Sequence, residues 1–436
     1  MKATTGLLKG TTGLLKATTG LLKATTGLAA LLVLASAAPA QASARPVHSA
    51  TTHKTTPHKT TPHKTTAHTT GHPALSWGIA PSPAFAGSAE LNGVSCPSAG
   101  FCAAAGLASG PGADAIAYPL IETWNGRRWS VAAAPGGPRS ELWGMSCASA
   151  AACMAVGFTT LADNATTTLA ESWNGHRWSV TPSPNGRDSE LVAVSCPAAS
   201  ACAAVGTSET GDGTFRTFTE RWNGARWSIV PSQDRGAGIN ILNGVSCASA
   251  SRCTAVGSYG FVPSHPLIES WNGQSWSIVA GPSKPQGLLD QVSCASATSC
   301  DTVGTYLDKR SDNRPLAETW SGKKWSVVAT KGPRYGEISD VACRSAADCT
   351  GVGYSWPSLR KPTGALVESW NGKAWTAAKA PSQPTNQPAS LMGVSCASAQ
   401  VCSAVGFAAP GGGNNTSSLI ETGTIAHHAR KGKPRK

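Results

Sequence analysis

Leu242-Asn243-Gly244-Val245-Ser246-Cys247, then five residues to Cys253-Thr254-Ala255-Val256-Gly257, then a loop, then Leu267-Ile268-Glu269-Ser270-Trp271-Asn272-Gly273-Gln274-Ser275-Trp276-Ser277-Ile278-Val279: this stretch decides the fold. It contains four short runs of β-branched, aromatic and alternating residues, which reads as four strands. Asn-Gly between the third and fourth runs is a strong hairpin signal, because both positions of a two-residue turn want positive φ. It occurs at 125–126, 174–175, 223–224, 272–273 and 371–372, with Ser321-Gly322 replacing it once. A two-residue turn would set Glu171 opposite Trp178 and on the same strand face as Trp173. The unit returns about every fifty residues along most of the chain, and four antiparallel strands at that period make a propeller blade.

The ends fix the blade number. Leu419-Ile420-Glu421-Thr422-Gly423 is a third strand with no Trp motif after it, while Ser76-Trp77-Gly78-Ile79-Ala80-Pro81-Ser82-Pro83 parallels Arg177-Trp178-Ser179-Val180-Thr181-Pro182-Ser183-Pro184. The two broken halves complete one sheet, so the expected fold is all-β: a closed ring of seven four-stranded antiparallel blades over 73–425. Cys-to-Cys spacing is always 6 positions and Glu-to-second-Trp always 7; the second Cys-to-Glu interval varies from 16 to 20 and the Trp-to-next-Cys interval from 18 to 21. One rim of the disc is therefore uniform and the other carries every variable loop, where binding usually resides.

Fourteen Cys form seven C-x5-C pairs: Cys96/Cys102, Cys147/Cys153, Cys196/Cys202, Cys247/Cys253, Cys294/Cys300, Cys343/Cys349 and Cys396/Cys402. Zinc knuckles use shorter spacings and His, which is scarce in the repeats, so these read as disulfides of an exported protein, stapling the uniform rim. Each closes a loop of about seven residues, worth about 2.4 kcal/mol by the chain-entropy relation. A Lys-bearing leader, the apolar run Leu28 to Ala38 and Ala40-Gln41-Ala42 or Ala42-Ser43-Ala44 make 1–44 a signal peptide; the run is too short for a membrane span. Residues 45–72, with a Thr-Thr-Pro-His-Lys period, form a disordered linker whose His53, His58, His63 and His68 allow a metal- or pH-responsive role. The net charge of +13 sits in the tails: 8 Lys/Arg in 1–72 and 5 in the basic tail 426–436 leave 23 bases against 23 acids in the repeats. That balance argues against a nucleic-acid partner, while tails carrying about +9 after leader removal suit an anionic cell wall or polymer.

The seven repeated acids, Glu122, Glu171, Glu220, Glu269, Glu318, Glu368 and Glu421, look catalytic singly, but sevenfold recurrence makes them architectural hydrogen-bond acceptors between blades. The paired Trp residues read as core wedges rather than sugar platforms. The S-C-x5-C-x-A-V-G and E-x-W-N-G-x-x-W-S motifs resemble a family of exported bacterial seven-bladed propeller repeats, and cover about 350 residues. The Ser-Trp-Asn-Gly-x-x-Trp part is similar to the Asp-box hairpin of sialidase-like propellers, with Asn for Asp and one residue fewer, and the kelch Gly-Gly pair is absent. The resemblance transfers no catalytic residue and implies no cofactor or metal.

Candidates for function are side chains that break the repeat on the variable rim: Tyr259, Phe261 and His265; Tyr306, Asp308, Lys309, Arg310, Asp312 and Arg314; Tyr354, Trp356, Arg360 and Lys361. Trp143, on an innermost strand, points to the channel. Aromatic and charged groups together suit a carbohydrate, a peptide or an anionic cell-wall polymer. The expected protein is a monomeric, secreted, non-catalytic binding scaffold. The alternative is a polysaccharide-acting hydrolase or lyase drawing an acid–base pair from Asp308, Asp312, Glu337 and Asp340, whose mark would be two carboxyls about 5–10 Å apart.

Overall fold

The computed structural model describes residues 75–425 except 112–114, 185–187, 262–263, 283–285, 357–362, 379, 381–386 and 411–414. The leader, the linker and the basic tail lie outside the described residues. Strands β1 to β28 form seven four-stranded antiparallel sheets. The first blade is β2 (Ser88–Ser98), β3 (Phe101–Ser109), β4 (Ala117–Trp124) and β5 (Trp129–Ala132). The second to sixth follow as β6–β9 (140–180), β10–β13 (189–229), β14–β17 (240–278), β18–β21 (287–327) and β22–β25 (336–378). The seventh joins β26 (Ala389–Ser398), β27 (Val401–Ala408) and β28 (Ser417–Ile425) to β1 (Leu75–Ala80), in the order β1-β28-β27-β26. The register runs Leu75↔Ile425, Trp77↔Gly423 and Ala80↔Ile420, so the ring closes between its two ends. Among the described residues no helix is long and apolar enough to cross a membrane.

Each blade buries both faces, and the core lies between blades. One cluster joins Leu91, Val94, Leu120 and Trp129 of the first blade to Val405 and Ile420 of the seventh. Another joins Val352 and Val367 of the sixth to Leu391, Leu419 and Trp77 of the seventh. The Gly of A-V-G is dictated by sterics. In each first strand the pairing slips by one residue, as between Leu91 and Gly93 or Leu142 and Gly144. That bulge drives a backbone carbonyl onto the second strand: a Cβ on Gly157 would collide with the Glu141 carbonyl oxygen.

The hairpin departs from the two-residue expectation. Trp173 pairs with Trp178, and Glu171 faces Val180 rather than Trp178. The loop therefore has four residues. Asn174 Oδ1 accepts the N–H groups of His176 and Arg177 at 3.0 Å, and only Gly175 takes positive φ. The Asn side chain replaces a backbone turn, and the shift brings the Trp rings together, with centroids 5.6–6.0 Å apart in the pairs 124/129 and 271/276. The second Trp is buried; in four blades the first, Trp124, Trp173, Trp222 or Trp370, donates its indole N–H to the Cys loop, as Trp124 does to Ala99 at 3.1 Å.

All seven disulfides are formed. Their reading as rim staples needs one correction, in depth. The second Cys of each pair is not a rim residue: Cys102, Cys153, Cys202, Cys253, Cys300, Cys349 and Cys402 are all buried. Cys102 packs with Leu91, Trp129 and Val405, Cys153 with Leu142 and Trp178, and Cys202 with Leu191 and Trp227. The cause is the second strand, which is covered by a neighbouring blade from its first turn-side residues onward. These sulfurs therefore belong to the interblade core. The staple lies under the rim rather than on it.

The Ser before each first Cys links blade to blade: Cys147 N–H donates to Ser95 Oγ, Cys196 to Ser146, Cys247 to Ser195, Cys294 to Ser246, Cys343 to Ser293 and Cys96 to Ser395, all at 2.9–3.0 Å. At the remaining interface the Ser position holds Ala342. There Asp340 Oδ2 accepts Val394 N–H at 2.7 Å and Arg344 reaches Cys402 Sγ at 2.9 Å. Ser195→Ala should lower stability by about 1–3 kcal/mol, the cost of an unpaired buried N–H, while Ala342→Ser adds about 1 kcal/mol. Denaturant melts check both, and a destabilising Ala342→Ser would refute the assignment.

Candidate functional site

The repeated carboxyls are part of the frame. All seven are fully buried. Those of the first four blades accept hydrogen bonds from the segment leaving the outermost strand of the preceding blade. Ser82 Oγ donates to Glu122 at 3.3 Å, Gly136 N–H to Glu171 at 2.9 Å, Ser183 Oγ to Glu220 at 2.7 Å and Gln233 N–H to Glu269 at 3.5 Å. Burial pushes Glu122, Glu171, Glu220 and Glu368 up to about 7 and Glu269 to about 8, against the pull of those donors where they are present. Seven equivalent groups, each closed off by a neighbouring blade, are latches.

A less regular set of acids lines the hub, where first strands of adjacent blades meet. The residue before the Leu or Ile of each first strand is Glu90, Glu141, Glu190, Ile241, Leu288, Glu337 or Ser390. Three acids thus stand on consecutive blades, and the repeat-breaking loops had not drawn attention to them. The signal was available: this position holds an acid in four blades and Ile, Leu or Ser in the other three, beside a Leu or Ile in every blade. Burial raises the Glu141 carboxyl to about 7; the Trp143 indole N–H bonds to it and pulls it down, and Glu190 and Glu90 push it up. Trp143 is therefore held within the hub against Glu141. Burial also raises Glu90, which accepts Thr416 Oγ1 at 3.0 Å.

On the sixth blade Tyr354 is turned inward. It is 3% exposed, donates its hydroxyl to Glu337 at 2.8 Å and stacks on Trp356 at 5.5 Å. Burial raises Glu337 to about 7, and does the same to Asp340. Asp340 is engaged by the N–H groups of Val341 and Val394, each at 2.7 Å. Of the four acids proposed for catalysis, Asp340 thus serves the blade interface.

The variable rim gathers the other candidates into two adjoining groups. On the fourth blade Tyr259 and His265 pair across strands and stack at 5.3 Å, and the Arg235 guanidinium lies 4.9 Å over Tyr259. Phe261 is 65% exposed beside them. On the fifth blade, half-buried Tyr306 is followed by a loop folded on Asp308. Its carboxylate accepts the N–H of Arg310 at 2.8 Å and of Asp312 at 3.2 Å, and pairs with Arg314 at 2.9 Å. Those donors, the Arg310 amide first, hold Asp308 below the usual carboxylate range. Asp312 pairs with Arg334 at 3.3 Å, Arg334 sits over Tyr335, and Trp356 N–H donates to the Tyr335 carbonyl. The two groups touch where Gly287 N–H bonds Ser264 O. Lys309 and Arg310 are left exposed at the centre; Arg360 and Lys361 lie outside the described residues.

Asp301, Cys343 and Cys349 bring metal-ligating atoms together, but both sulfurs belong to a disulfide and bind no ion.

No protein-family model matches the chain, and no curated protein matches it either. Solved propellers are similar in fold. YCF48 from Cyanidioschyzon merolae is 12% identical, with 79% of this chain and 98% of that chain covered and a TM-score of 0.48. A GH74 xyloglucanase from Xanthomonas campestris is 14% identical over 77% of this chain and 53% of that chain, with a TM-score of 0.49. The six-bladed, fucose-recognising Aleuria aurantia lectin is 12% identical over 66% of this chain and 95% of its own, with a TM-score of 0.39. At these identities the likeness concerns the propeller architecture.

Proposed function

We propose that the chain is an exported, non-catalytic binding scaffold that takes a carbohydrate, a peptide or an anionic cell-wall polymer on the variable rim of its fourth to sixth blades. Seven formed disulfides suit an oxidising compartment. The observation that carries the reading is mutual support among side chains that break the repeat: Arg235 on Tyr259 on His265, and Asp308 with Arg314 next to Asp312 with Arg334. Rings locked by stacking and forks locked by ion pairs lose little freedom on binding. They leave Phe261 and Arg310 open to a ligand.

A glycan, peptide and wall-polymer array probed with the chain, with and without its tails, tests this. Phe261→Ala with Arg310→Ala should weaken the strongest hit about tenfold or more, the usual loss at an aromatic–Arg hot spot. Unchanged binding would overturn the assignment. A second reading, a polysaccharide hydrolase or lyase, draws on Glu141 between Glu90 and Glu190 in the hub, since a carboxyl near 7 can act as a general acid. Chain cleavage of any array hit, lost in Glu141→Gln, would favour it over the scaffold.

A further inference from the structure

The even count of acids and bases in the repeats conceals their distribution. The hairpin between third and fourth strands lies on the same rim as the Cys loop: Gly175 approaches Ala151, Gly224 approaches Ser200 and Gly322 approaches Thr298. The third and fourth residues of these hairpins include Arg127, Arg128, Arg177, Arg226, Lys323 and Lys324, all exposed. Arg252 and Lys373 add to the same rim. Among the described residues none of these cations forms an ion pair. The stapled rim has one carboxylate in its loops, Asp348, and Arg344 already binds it through a bidentate pair. Asp301 is buried beneath, against the Cys343–Cys349 sulfurs. The other acids belong to the latches, the hub or the variable rim. The disc is electrically two-faced.

We propose that the stapled rim is a second binding face, for a flexible linear polyanion whose units carry phosphate or sulfate esters. Guanidinium forks match such groups bidentately. Their carrier is rigid: Asn125 Oδ1 takes the N–H groups of Arg127 and Arg128 at 3.0 and 3.1 Å, fixing where those side chains start. The cations recur from blade to blade around a circle, so a polymer crossing several blades engages them together and gains by multivalency. A membrane fits less well. The exposed large hydrophobics, such as Ile79, Val131, Val180 and Phe261, lie on outermost strands or the variable rim, so this face offers no apolar wedge. The chain leaves the ring on this side, where Ile425 N–H bonds Gln400 O of the seventh Cys loop. It continues in sequence to Arg430-Lys431-Gly432-Lys433-Pro434-Arg435-Lys436, of the same sign.

The full chain is titrated with long-chain inorganic polyphosphate and with heparin across a NaCl series. Arg128→Gln/Arg177→Gln/Lys324→Gln is compared with the equally charged control Arg139→Gln/Arg216→Gln/Lys331→Gln, which spares the candidate site on the variable rim. Three lost contacts, at about 0.7 each, should lower the slope of log affinity against log salt by about two and weaken binding about a hundredfold at 0.1 M salt. The control triple should stay within twofold. Equal losses in both triples, or none in the first, would overturn the proposal. So would tighter binding to anionic phospholipid vesicles or to single-stranded DNA than to either polymer.

Discussion

Trp77→Ala lowers the melting temperature of the ring by about 5 °C. Trp77 is the fourth-strand Trp of the seventh blade and is 8% exposed. Six blades set two Trp side by side at this level; here the partner across the sheet is Gly423. The Trp77 indole fills the vacant half, since a Cβ on Gly423 would lie 2.8 Å from it. It also belongs to the cluster that joins the sixth and seventh blades. Truncating a buried Trp costs about 3–5 kcal/mol. With about 2.1 cal/mol/K of unfolding entropy per residue, some 350 residues convert that to about 5 °C. Because β1 is the seal of the ring, its loss should also expose 75–87 to chymotrypsin, at Phe85, before any other segment. A variant that melts within a degree of the parent and keeps its protease resistance would show that closure rests elsewhere. Gly423→Trp does not recreate the usual pair: Trp77 already occupies the space, so that variant should be less stable as well.

Ring closure was legible because a repeat broken at both ends leaves complementary fragments, and Leu419-Ile420-Glu421 against Ser76-Trp77 has one simple solution. The latches were legible too, since sevenfold recurrence of Glu excludes a single site on a single axis. The disulfide pairing was legible from spacing, but the depth of Cys102, Cys153 and Cys202 was not, because spacing along the chain says nothing of what covers a strand. The hairpin register also escaped. Asn174-Gly175 has the composition of a two-residue turn, and what defeats it is the Asn oxygen capturing two following N–H groups while the Trp rings seek each other. The hub acids escaped for a related reason. Alternation assigns strand faces only while pairing is regular, and the bulge between Leu91 and Gly93 shifts the count by one. Tyr354 was misplaced for want of two residues. It reads as the first loop residue after Gly-Val-Gly, yet the strand runs on to Ser355 and carries its ring into the interior. Tyr259 and Tyr306 end their strands similarly, but stay partly open.

Stability should decline from pH 5 to pH 8, against the habit of most proteins. The ordinary Glu value near 4.5 rises to about 7 for Glu122, Glu171, Glu220 and Glu368 and to about 8 for Glu269, burial being the largest cause. A carboxyl raised in the fold binds its proton more tightly folded than unfolded. Its stabilising contribution is therefore complete below pH 4.5 and is withdrawn as pH climbs to 7 or 8, at up to about 1.4 kcal/mol per unit per group. Asp301, Glu141, Glu337 and Asp340 shift in the same direction. Asp308 and Asp212 shift oppositely, so acid below their range removes stability and the optimum falls near pH 5. Substitution separates latch from charge. Glu171→Ala strands the Gly136 N–H and opens a cavity, costing about 2–4 kcal/mol at any pH. Glu171→Gln keeps the acceptor and loses the ionisation, so it should trail the parent at pH 5 and draw level or pass it at pH 8. Melting curves that stay flat for the parent over this range, or that run parallel for parent and Glu171→Gln, would mean that the buried ring titrates as ordinary carboxylates do. The latches would then be ionised, and held so by donors on every blade.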